Sequence, residues 1–273
     1  MNKVLKLDPS FAPLLEGKLR RLGFEKRENP NVIFAYKGND LQVVFYPTGT
    51  LLIQGKGDID QLVKALSEDL SLDYGYIGTD EAGKGDLFGP LVVCGFALKD
   101  EKTAKELFSL GVKDSKTLST SALEEIAQQL MELNCHLCHV IEPEVYNQLY
   151  RRFQNLNKLL GFAHANVIDG LFIRTGLTKA VTDRFMKGSF VDCYLNAPIE
   201  LEETTGAERY AAVAAASIIA RYLYNQSLKK LSKIAGIQLK AGSGEDAKRI
   251  LLELRSKFDR KTLEKLAKLH FKV

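Results

Sequence analysis

Two adjacent acidic residues, Asp80 and Glu81, follow a short apolar segment with strand character. Neighbouring carboxylates repel each other unless a cation or another partner offsets their charge. Hydrolysis of a phosphodiester by two divalent ions needs several carboxylates to hold the ions in place, and Mg²⁺ selects oxygen ligands of this kind. The pair therefore indicates a divalent-metal site at the end of a strand.

Two further acids could join this pair. Asp183 ends a short apolar strand at residues 180–183, and Glu208 lies at the start of a helical pattern. Taken alone, an acid in such a position is usually a loop residue or a first-turn acid of a helix. Together with the pair, the two acids would complete a set of four carboxylates, for which Glu202 and Glu203 are alternative fourth members.

Two polar loops could contact phosphate. Gly83, Lys84 and Gly85 form a flexible basic turn beside the paired acids, and glycine lets a backbone approach a ligand closely. A lone Gly-x-Gly is usually just a turn, so this signal is weak by itself. The second loop contains Lys113, Ser115 and Lys116, and its alternative interpretation is a capping loop before a helix.

The elements that must position these residues form an α/β pattern. A continuous apolar run at residues 91–98 predicts a strand that is buried on both faces. Strands are also predicted at 76–80, 135–141 and 180–183, and helices at 101–110, 119–132, 143–175, 208–234 and 246–268. Strands that alternate with helices in this way favour a central sheet with flanking helices.

Residues 1–70 have a different texture and predict a separate α-β-β-β-α unit. Its helices are predicted at 9–22 and 58–69, and its strands at 31–37, 41–46 and 50–55. Pro47 and Gly49 between the last two strands are typical of a hairpin. We therefore expect a domain at 1–70, a linker at 71–75 and a second domain at 76–273.

Composition and charge narrow the class of protein. The 273 residues are 45% hydrophobic and 26% charged, without a membrane-length apolar segment or an apolar signal core. These values favour a cytoplasmic enzyme or binding protein over a membrane, secreted or disordered one. The net charge is +4, and residues 221–273 carry 14 basic against five acidic residues. That excess fits either a helical face that binds a polyanion or a solvated helix surface.

The four cysteines are too few to predict a disulfide framework in a chain of this length. Cys135 and Cys138, with two histidines beside them, look like half of a zinc site, but no second ligand pair follows at a suitable spacing. We therefore favour a plain buried strand for this segment.

Six blocks of the sequence resemble the type 2 ribonucleases H, and the ribonuclease HIII branch in particular. The first, residues 78–91, reads Gly-Thr-Asp-Glu-Ala-Gly-Lys-Gly-Asp-Leu-Phe-Gly-Pro-Leu and matches the opening motif of that family. The others follow in family order: 113–119, 155–160 with His164, 180–185, 214–221 and 269–272. Together the blocks cover nearly all of residues 76–273, which makes the resemblance far more specific than any single motif.

This resemblance implies an endonuclease that cuts the RNA strand of RNA/DNA hybrids by two-metal hydrolysis, leaving 5′-phosphate and 3′-hydroxyl ends. Two Mg²⁺ or Mn²⁺ ions are implied during catalysis. The implied catalytic and metal-binding residues are Asp80, Glu81, Asp183 and Glu208. The implied nucleic-acid contacts are Gly83, Lys84, Gly85, Lys113, Ser115 and Lys116.

The resemblance also implies a fold. It combines a ribonuclease H-like catalytic domain, with a central mixed sheet and flanking helices, and a small preceding domain similar to half of a TATA-binding protein. That domain grips the hybrid in the family, and the α-β-β-β-α pattern of residues 1–70 agrees with it. These residues carry 10 basic and nine acidic side chains, so we expect a grip by shape rather than by strong charge.

The sequence allows three alternative functions. A ribonuclease HII-like enzyme would cut at single ribonucleotides in DNA, but the N-terminal domain and a Glu at the fourth position argue against it. Four intact acids argue against a non-catalytic hybrid-binding module, and the ordered blocks do not support a four-way-junction nuclease. No membrane partner is expected, and a monomer is the default.

One departure from the family pattern affects Glu208. It lies nine residues before Ser217, whereas the family usually has about ten. One residue turns a helix by about 100°, so we expect a rearranged junction or a fourth ligand supplied by Glu202 or Glu203.

Overall fold

A computed structural model describes residues 2–67, 73–112, 119–184 and 190–271. By its internal contacts the chain divides into two compact units. The first consists of Met1–Tyr74 and Asp100–Ser121, and the second of Gly75–Lys99 and Ala122–Val273. Among the described residues, no helix is both long and apolar enough to cross a membrane.

The first unit contains a five-stranded antiparallel sheet. Its strands are β1 (Asn2–Lys6), β2 (Glu25–Arg27), β3 (Phe34–Gly38), β4 (Leu41–Phe45) and β5 (Thr50–Gly55), in the order β1-β5-β4-β3-β2. Its first two helices are α1 (Ala12–Arg21) and α2 (Ile59–Ser67). The three predicted strands and two predicted helices are present. The two outer strands, β1 and β2, were not predicted. Strand β2 gives no signal because it is a short, fully exposed run of charged residues without apolar alternation.

Alternation along the strands gives the sheet a core face and an opposite face of mixed character, on which Ala35 and Val44 are buried. Inward side chains such as Leu41, Val43 and Phe45 of β4 belong to one buried cluster. On the other face, residues in register across the sheet form a polar row. From β2 to β1 the row is Glu25, Lys37, Gln42, Gln54 and Asn2.

A third helix, α3 (Glu101–Leu110), belongs to the first unit, because Phe108 packs against its hydrophobic cluster. Asp100 caps its start by accepting a hydrogen bond from the Thr103 N–H at 2.8 Å, and Gly111 ends it in the left-handed conformation. The predicted domain boundary at 71–75 therefore differs from the division by internal contacts, which adds Asp100–Ser121 to the first unit. The sequence pattern assigned α3 to residues 76–273 because chain order alone carries no information about this packing.

The second unit contains a five-stranded mixed sheet. Its strands are β6 (Tyr76–Ala82), β7 (Leu91–Leu98), β8 (His136–Ile141), β9 (Lys179–Asp183) and β10 (Glu200–Thr204), in the order β10-β9-β6-β7-β8. Strand β9 runs parallel to both β6 and β10, whereas β7 is antiparallel to β6 and β8. The predicted mixed sheet is confirmed, and every residue of β7 is buried as expected. Strand β10 was missed because its sequence, Glu-Leu-Glu-Glu-Thr, has weak strand propensity.

The helices of this unit are α4 (Thr120–Glu132), α5 (Pro143–Phe153), α6 (Leu156–Thr175), α7 (Ala211–Ala235), α8 (Glu245–Lys257) and α9 (Arg260–Leu266). The helix predicted at 143–175 is two helices, because Gln154 is left-handed and Asn155 caps the start of α6. The helix predicted at 246–268 is also two, with Asp259 capping α9. These breaks arise from caps that apolar periodicity does not reveal.

Helices α6 and α7 cover opposite faces of the sheet. A β-carbon added at Gly78 of β6 would clash with the α7 backbone at Ala212 and Val213. A β-carbon at Gly95 of β7 would meet Val167 of α6 at 2.5 Å. Both helices therefore approach the sheet at a glycine, and α7 lies directly against β6.

Strand β8 begins directly after the buried Cys135; it is an edge strand and is largely half-exposed rather than buried as predicted. Cys138 lies opposite Cys94 of β7, and the two form a disulfide with a Cα–Cα distance of 4.1 Å. The bridge was not predicted, because it depends on the register of two strands that are 44 residues apart.

The close approach of α7 to β6 gives a prediction for stability. Gly78→Ala should lower the free energy of unfolding by about 2 kcal/mol or more, because the new methyl group meets backbone that cannot move aside. Gly85→Ala is the control, since nothing lies within 4 Å of a β-carbon there. Urea unfolding of both variants measures the effect, and equal stability of the two would contradict this packing.

Candidate active site

The site is organised around the ends of two parallel strands, β6 and β9. Thr79 pairs with Thr182, so the next residues, Asp80 and Asp183, follow side by side. Neighbouring strands lie about 4.8 Å apart, and in-register side chains share a face. The fold therefore brings Asp80 and Asp183 together on the α7 face, 103 positions apart in the printed sequence.

Asp80 is a partly buried carboxylate with hydrogen-bond donors on two sides. Its Oδ1 accepts a hydrogen bond from the Glu81 N–H at 2.9 Å, and it accepts another from the Ser217 hydroxyl of α7. Burial, followed by the charge of Glu81, raises the pKa of Asp80 to about 6, although both hydrogen bonds act in the opposite direction. The carboxylate is thus held ionised at neutral pH at a free-energy cost.

The Glu81 side chain points to the face of the sheet opposite Asp80, where its partners are Lys84 and His164. Its Oε1 lies 2.6 Å from Lys84 Nζ, and its Oε2 lies 3.1 Å from His164 Nε2. Burial alone would raise the pKa of Glu81, but His164 and Lys84 together outweigh it, so the pKa is lowered. Glu81 is therefore the more stable anion of the adjacent pair.

His164 is fully buried in α6 and orients Glu81. Its Nδ1 lies 2.8 Å from Thr79 Oγ1 and 3.5 Å from Thr182 Oγ1. A neutral imidazole satisfies this geometry when Nε2 donates to the Glu81 carboxylate and Nδ1 accepts from the Thr79 hydroxyl. The histidine can therefore hold the carboxylate without needing a charge of its own.

The Lys84 amine lies among the acids. Burial alone would lower the pKa of Lys84, but Glu81, Asp80 and Asp183 outweigh it and raise the pKa. Three carboxylates thus act on one ammonium group, which offsets their mutual repulsion. In this structure Lys84 is bonded to Glu81, and its contact with phosphate stays a prediction.

Glu208 was predicted to begin the helix that is now α7, and this prediction is wrong. It lies in a separate 3₁₀ turn, Ala207–Arg209, and Tyr210 is extended before α7 begins. The turn is tied to the site because the Ala207 N–H donates to Asp183 Oδ1 at 3.2 Å. Since no continuous helix joins Glu208 to Ser217, a spacing that is one residue short does not rotate Glu208 by a helical step.

The two alternative acids, Glu202 and Glu203, lie on β10 rather than in a loop that could swing inward. Glu202 is exposed, and its Oε1 accepts a hydrogen bond from the Tyr210 hydroxyl at 2.7 Å. Glu203 pairs with Thr182 in the parallel register, so the two share a face. The strand pairing fixes both backbones, and Glu208 as the fourth acid stays a prediction.

The glycine-lysine loop at residues 83–85 is constrained at its first glycine. Gly83 has a φ of 85°, and an added β-carbon would clash with the Pro90 carbonyl and lie 2.8 Å from the Tyr224 ring. Gly85 is exposed, with open space around it. The other predicted contacts, Lys113, Ser115 and Lys116, lie outside the described residues.

The donor set suits a hard divalent cation, because Asp80, Glu81 and Asp183 supply only oxygen atoms and already attract one ammonium group. Within the part of the chain that the structure describes, no three His, Cys, Asp or Glu side chains lie close enough to enclose an ion as they stand. The carboxylates would therefore have to turn toward a common point when an ion binds.

Sequence reasoning did not assign His164 and Ser217 to the site. Both lay within segments that matched family motifs, but only as markers of the resemblance. A histidine within the apolar helix α6 was the available signal, since buried polar side chains need partners. Their roles became visible only when strand and helix packing placed them beside Glu81 and Asp80.

Comparison with known proteins identifies the family. The ribonuclease HII family model matches residues 77–273, which is more than half of the chain. The chain belongs to the ribonuclease HII family. Ribonuclease HIII of Aquifex aeolicus (strain VF5) is 36% identical over 271 residues, covering 98% of this chain and 99% of the relative. Ribonuclease HIII of Chlamydia caviae is 32% identical over 288 residues, covering 99% and 95%.

Solved structures extend the likeness over both units of the chain. The crystal structure of Aquifex aeolicus RNase H3 matches with a TM-score of 0.61 and 33% identity, covering 99% of this chain and all of that one. The structure of Bst-RNase HIII in complex with Mn²⁺ matches with a TM-score of 0.67 and 27% identity, covering 99% and 96%. The resemblance to ribonuclease HIII inferred from the six sequence blocks is thereby confirmed.

The burial of Asp80 gives a second prediction for stability. Because its pKa is raised from 3.8 to about 6, the folded state binds more protons than the unfolded state in that window, and stability falls as the pH rises through it. Asp80→Asn removes the charge, so at pH 7 without metal the variant should be on the order of 2 kcal/mol more stable.

Chemical unfolding in EDTA between pH 4 and pH 7 measures this effect. Glu125→Gln, a change at an exposed position of α4, is the control and should leave both the stability and its pH dependence unchanged. A variant Asp80→Asn that is less stable than the wild type at pH 7 would show that the carboxylate is not strained.

Proposed function

We propose that this protein is an endonuclease that hydrolyses the RNA strand of RNA/DNA hybrids and leaves 5′-phosphate and 3′-hydroxyl ends. The observation that carries the proposal is the side-by-side placement of Asp80 and Asp183 at the ends of parallel strands, with Glu81 adjacent. Family membership and full-length relatives named ribonuclease HIII support the same activity.

We propose that Asp80, Glu81, Asp183 and Glu208 hold divalent cations, Mg²⁺ or Mn²⁺. Two such ions, when bound, supply activation of the attacking water and stabilisation of the leaving oxygen. The oxygen-only donor set supports this assignment, as does the solved Mn²⁺ complex of Bst-RNase HIII. No side-chain nucleophile is needed for such a reaction.

The chain's own side chains set the geometry of the acids. Ser217 donates to Asp80, His164 bonds to Glu81, and the Ala207 N–H donates to Asp183. Each of these three acids therefore has a separate partner, supplied by α7, α6 or the turn before α7. Fixed partners of this kind reduce the reorganisation that a carboxylate needs during the reaction.

The glycine-lysine loop would lie against the substrate strand. Gly83 and Gly85 allow close backbone approach, and Lys84 would exchange its bond to Glu81 for a phosphate when cations neutralise the acids. Contacts to 2′-hydroxyl groups in this region would distinguish RNA from DNA. Lys113, Ser115 and Lys116 remain proposed phosphate contacts on sequence grounds alone.

The polar row on the first unit's sheet is the proposed grip on the hybrid. Lys37 and Gln42 are exposed, and Gln54 Nε2 donates to Gln42 Oε1 at 3.1 Å. Amide and amine groups in a row across a sheet can contact successive phosphates and sugars without reading sequence. The near-balanced charge of residues 1–70 is consistent with such a grip.

Asp80→Asn tests the activity directly. Its cleavage of a long RNA/DNA hybrid with Mg²⁺ should fall at least about 1,000-fold, because ligation of the ions needs the negative charge. Hybrid affinity should stay within a few fold, since Asp80 contributes no positive charge toward phosphate.

Gel cleavage and fluorescence-anisotropy binding give the two values. A DNA duplex with one ribonucleotide and a branched DNA serve as competing substrates. Near-wild-type turnover by Asp80→Asn would remove this residue from the site, and preferred cleavage at the single ribonucleotide would favour a ribonuclease HII-like specificity.

The fourth ligand can be identified by metal titration. Glu208→Gln should lower activity strongly, and raised Mg²⁺ or Mn²⁺ should restore part of it, because a peripheral ligand serves one ion. Glu202→Gln and Glu203→Gln are matched controls with the same chemical change. Loss of activity in Glu203→Gln, with Glu208→Gln unaffected, would transfer the ligand to β10.

If the sheet of the first unit holds the hybrid, changes to its polar row should weaken hybrid binding without slowing the cleavage step. The double variant Gln42→Glu/Gln54→Glu should weaken hybrid binding at least about tenfold, because two negative charges would face the phosphates, while kcat changes little. The double variant Gln128→Glu/Gln129→Glu, at exposed positions of α4, makes the same change in net charge. Equal affinities of the two double variants would remove the sheet from the interface.

A further inference from the structure

A buried lysine, Lys268, lies beneath the glycine-lysine loop. Its side chain is fully buried, and its Nζ donates to the carbonyl oxygens of Gly83 and Asp86, both at 2.8 Å. Lysine is almost never fully buried unless its amine is paired. Such a costly arrangement calls for an explanation, and the candidate site described above does not use it.

The lysine's own backbone is fixed on both sides. The Lys268 N–H donates to the Leu87 carbonyl at 2.8 Å. The Asn147 side chain of α5 donates to the Ala267 carbonyl at 2.8 Å and accepts from the Leu269 N–H at 2.9 Å. The backbone on both sides of Lys268 is therefore held by α5 and by the segment around Leu87. This places the amine independently of the substrate.

The surroundings of Lys268 change the protonation equilibrium of its amine but not its ability to donate hydrogen bonds. Burial lowers the pKa of Lys268 to about 7, with the charges of Asp86 and Glu142 acting in the opposite direction. A neutral amine still has two N–H groups, which is enough for both carbonyls. The contact to Gly83 and Asp86 therefore persists in either protonation state.

The two carbonyls bracket the functional part of the loop. Only Lys84 and Gly85 lie between Gly83 and Asp86, and Lys84 is the residue whose amine reaches Glu81. Asp86 has a second anchor, because its Oδ1 accepts from the Gly242 N–H at 2.7 Å. Removing the lysine amine would thus weaken the Gly83 end of the loop, whose carbonyl would keep the longer 3.3 Å bond from the Asp86 N–H, while the Asp86 side chain stays attached.

We propose that Lys268 is a positioning residue for cleavage: its amine fixes the Gly83 and Asp86 carbonyls and thereby places Lys84 and Gly85 between the acids and the substrate phosphate. The inference rests on the proposed function, since the positioning concerns the reacting phosphate. Displacement of such a group by about 1 Å can cost roughly 100-fold in rate. Lys268 itself contacts neither substrate nor ion.

The test compares Lys268→Met with a control at another buried lysine. Lys18 is also buried, and its amine also donates to two backbone carbonyls, those of Ala65 and Leu66. Lys18→Met therefore removes an equivalent amine in the first unit. Both variants are assayed on a long RNA/DNA hybrid with Mg²⁺, at a temperature where circular dichroism shows both to be folded.

The inference predicts that Lys268→Met lowers kcat about 10- to 100-fold and leaves KM within about twofold, whereas Lys18→Met changes neither. Hydrogen–deuterium exchange of residues 82–87 should be faster in Lys268→Met only. In a Lys84→Met background, adding Lys268→Met should lower kcat by much less than it does in the wild type, because the two residues act through one loop.

Three results would overturn the inference: a kcat of Lys268→Met within twofold of the wild type, unchanged exchange of the loop, or effects of Lys84→Met and Lys268→Met that simply multiply. Failure of the proposed function is separate, because the wild type would then not cleave the hybrid at all. Cleavage by the wild type together with unimpaired Lys268→Met rejects the positioning role alone.

Discussion

Mutual repulsion of the carboxylates at the ends of β6 and β9 is the constraint on which the rest of the site depends. Strand pairing forces Asp80 and Asp183 together, and the chain adds Glu81 next to the first. Burial increases the cost of this arrangement, as the raised pKa of Asp80 shows. A cation lowers that cost, and Lys84 supplies one from within the chain. The charge distribution that strains the fold is the one that the proposed divalent ions would offset.

The surrounding elements make this arrangement possible. Gly78 lets α7 lie directly against β6, which brings the Ser217 hydroxyl to Asp80. On the other face, α6 places His164 between Thr79 and Glu81. The buried Lys268 ties the loop that follows β6 to the end of the chain. Helices on both faces and the last segment of the chain thus converge on one strand end.

Local signals in the sequence were sufficient for the features that depend on local residues. The adjacency of Asp80 and Glu81, the apolar run of β7 and the α/β pattern could all be predicted. Strand β10 could not, because its acidic sequence forms a strand only by pairing with β9. The turn that carries Glu208 depends on the bond between Ala207 and Asp183, and α3 joins the first unit through Phe108. These features arise from contacts between distant residues.

Anomalous diffraction from crystals soaked in Mn²⁺ tests the central claim most directly. The account holds that a divalent ion takes over from the Lys84 ammonium group in offsetting the charge of the acids. It therefore predicts an anomalous peak within bonding distance of the Asp80 carboxylate, with Asp183 or Glu81 as a second ligand. It also predicts that Lys84 Nζ moves away from Glu81 Oε1. Manganese that binds elsewhere on the chain, or a Lys84–Glu81 pair that remains intact beside an occupied site, would contradict the account.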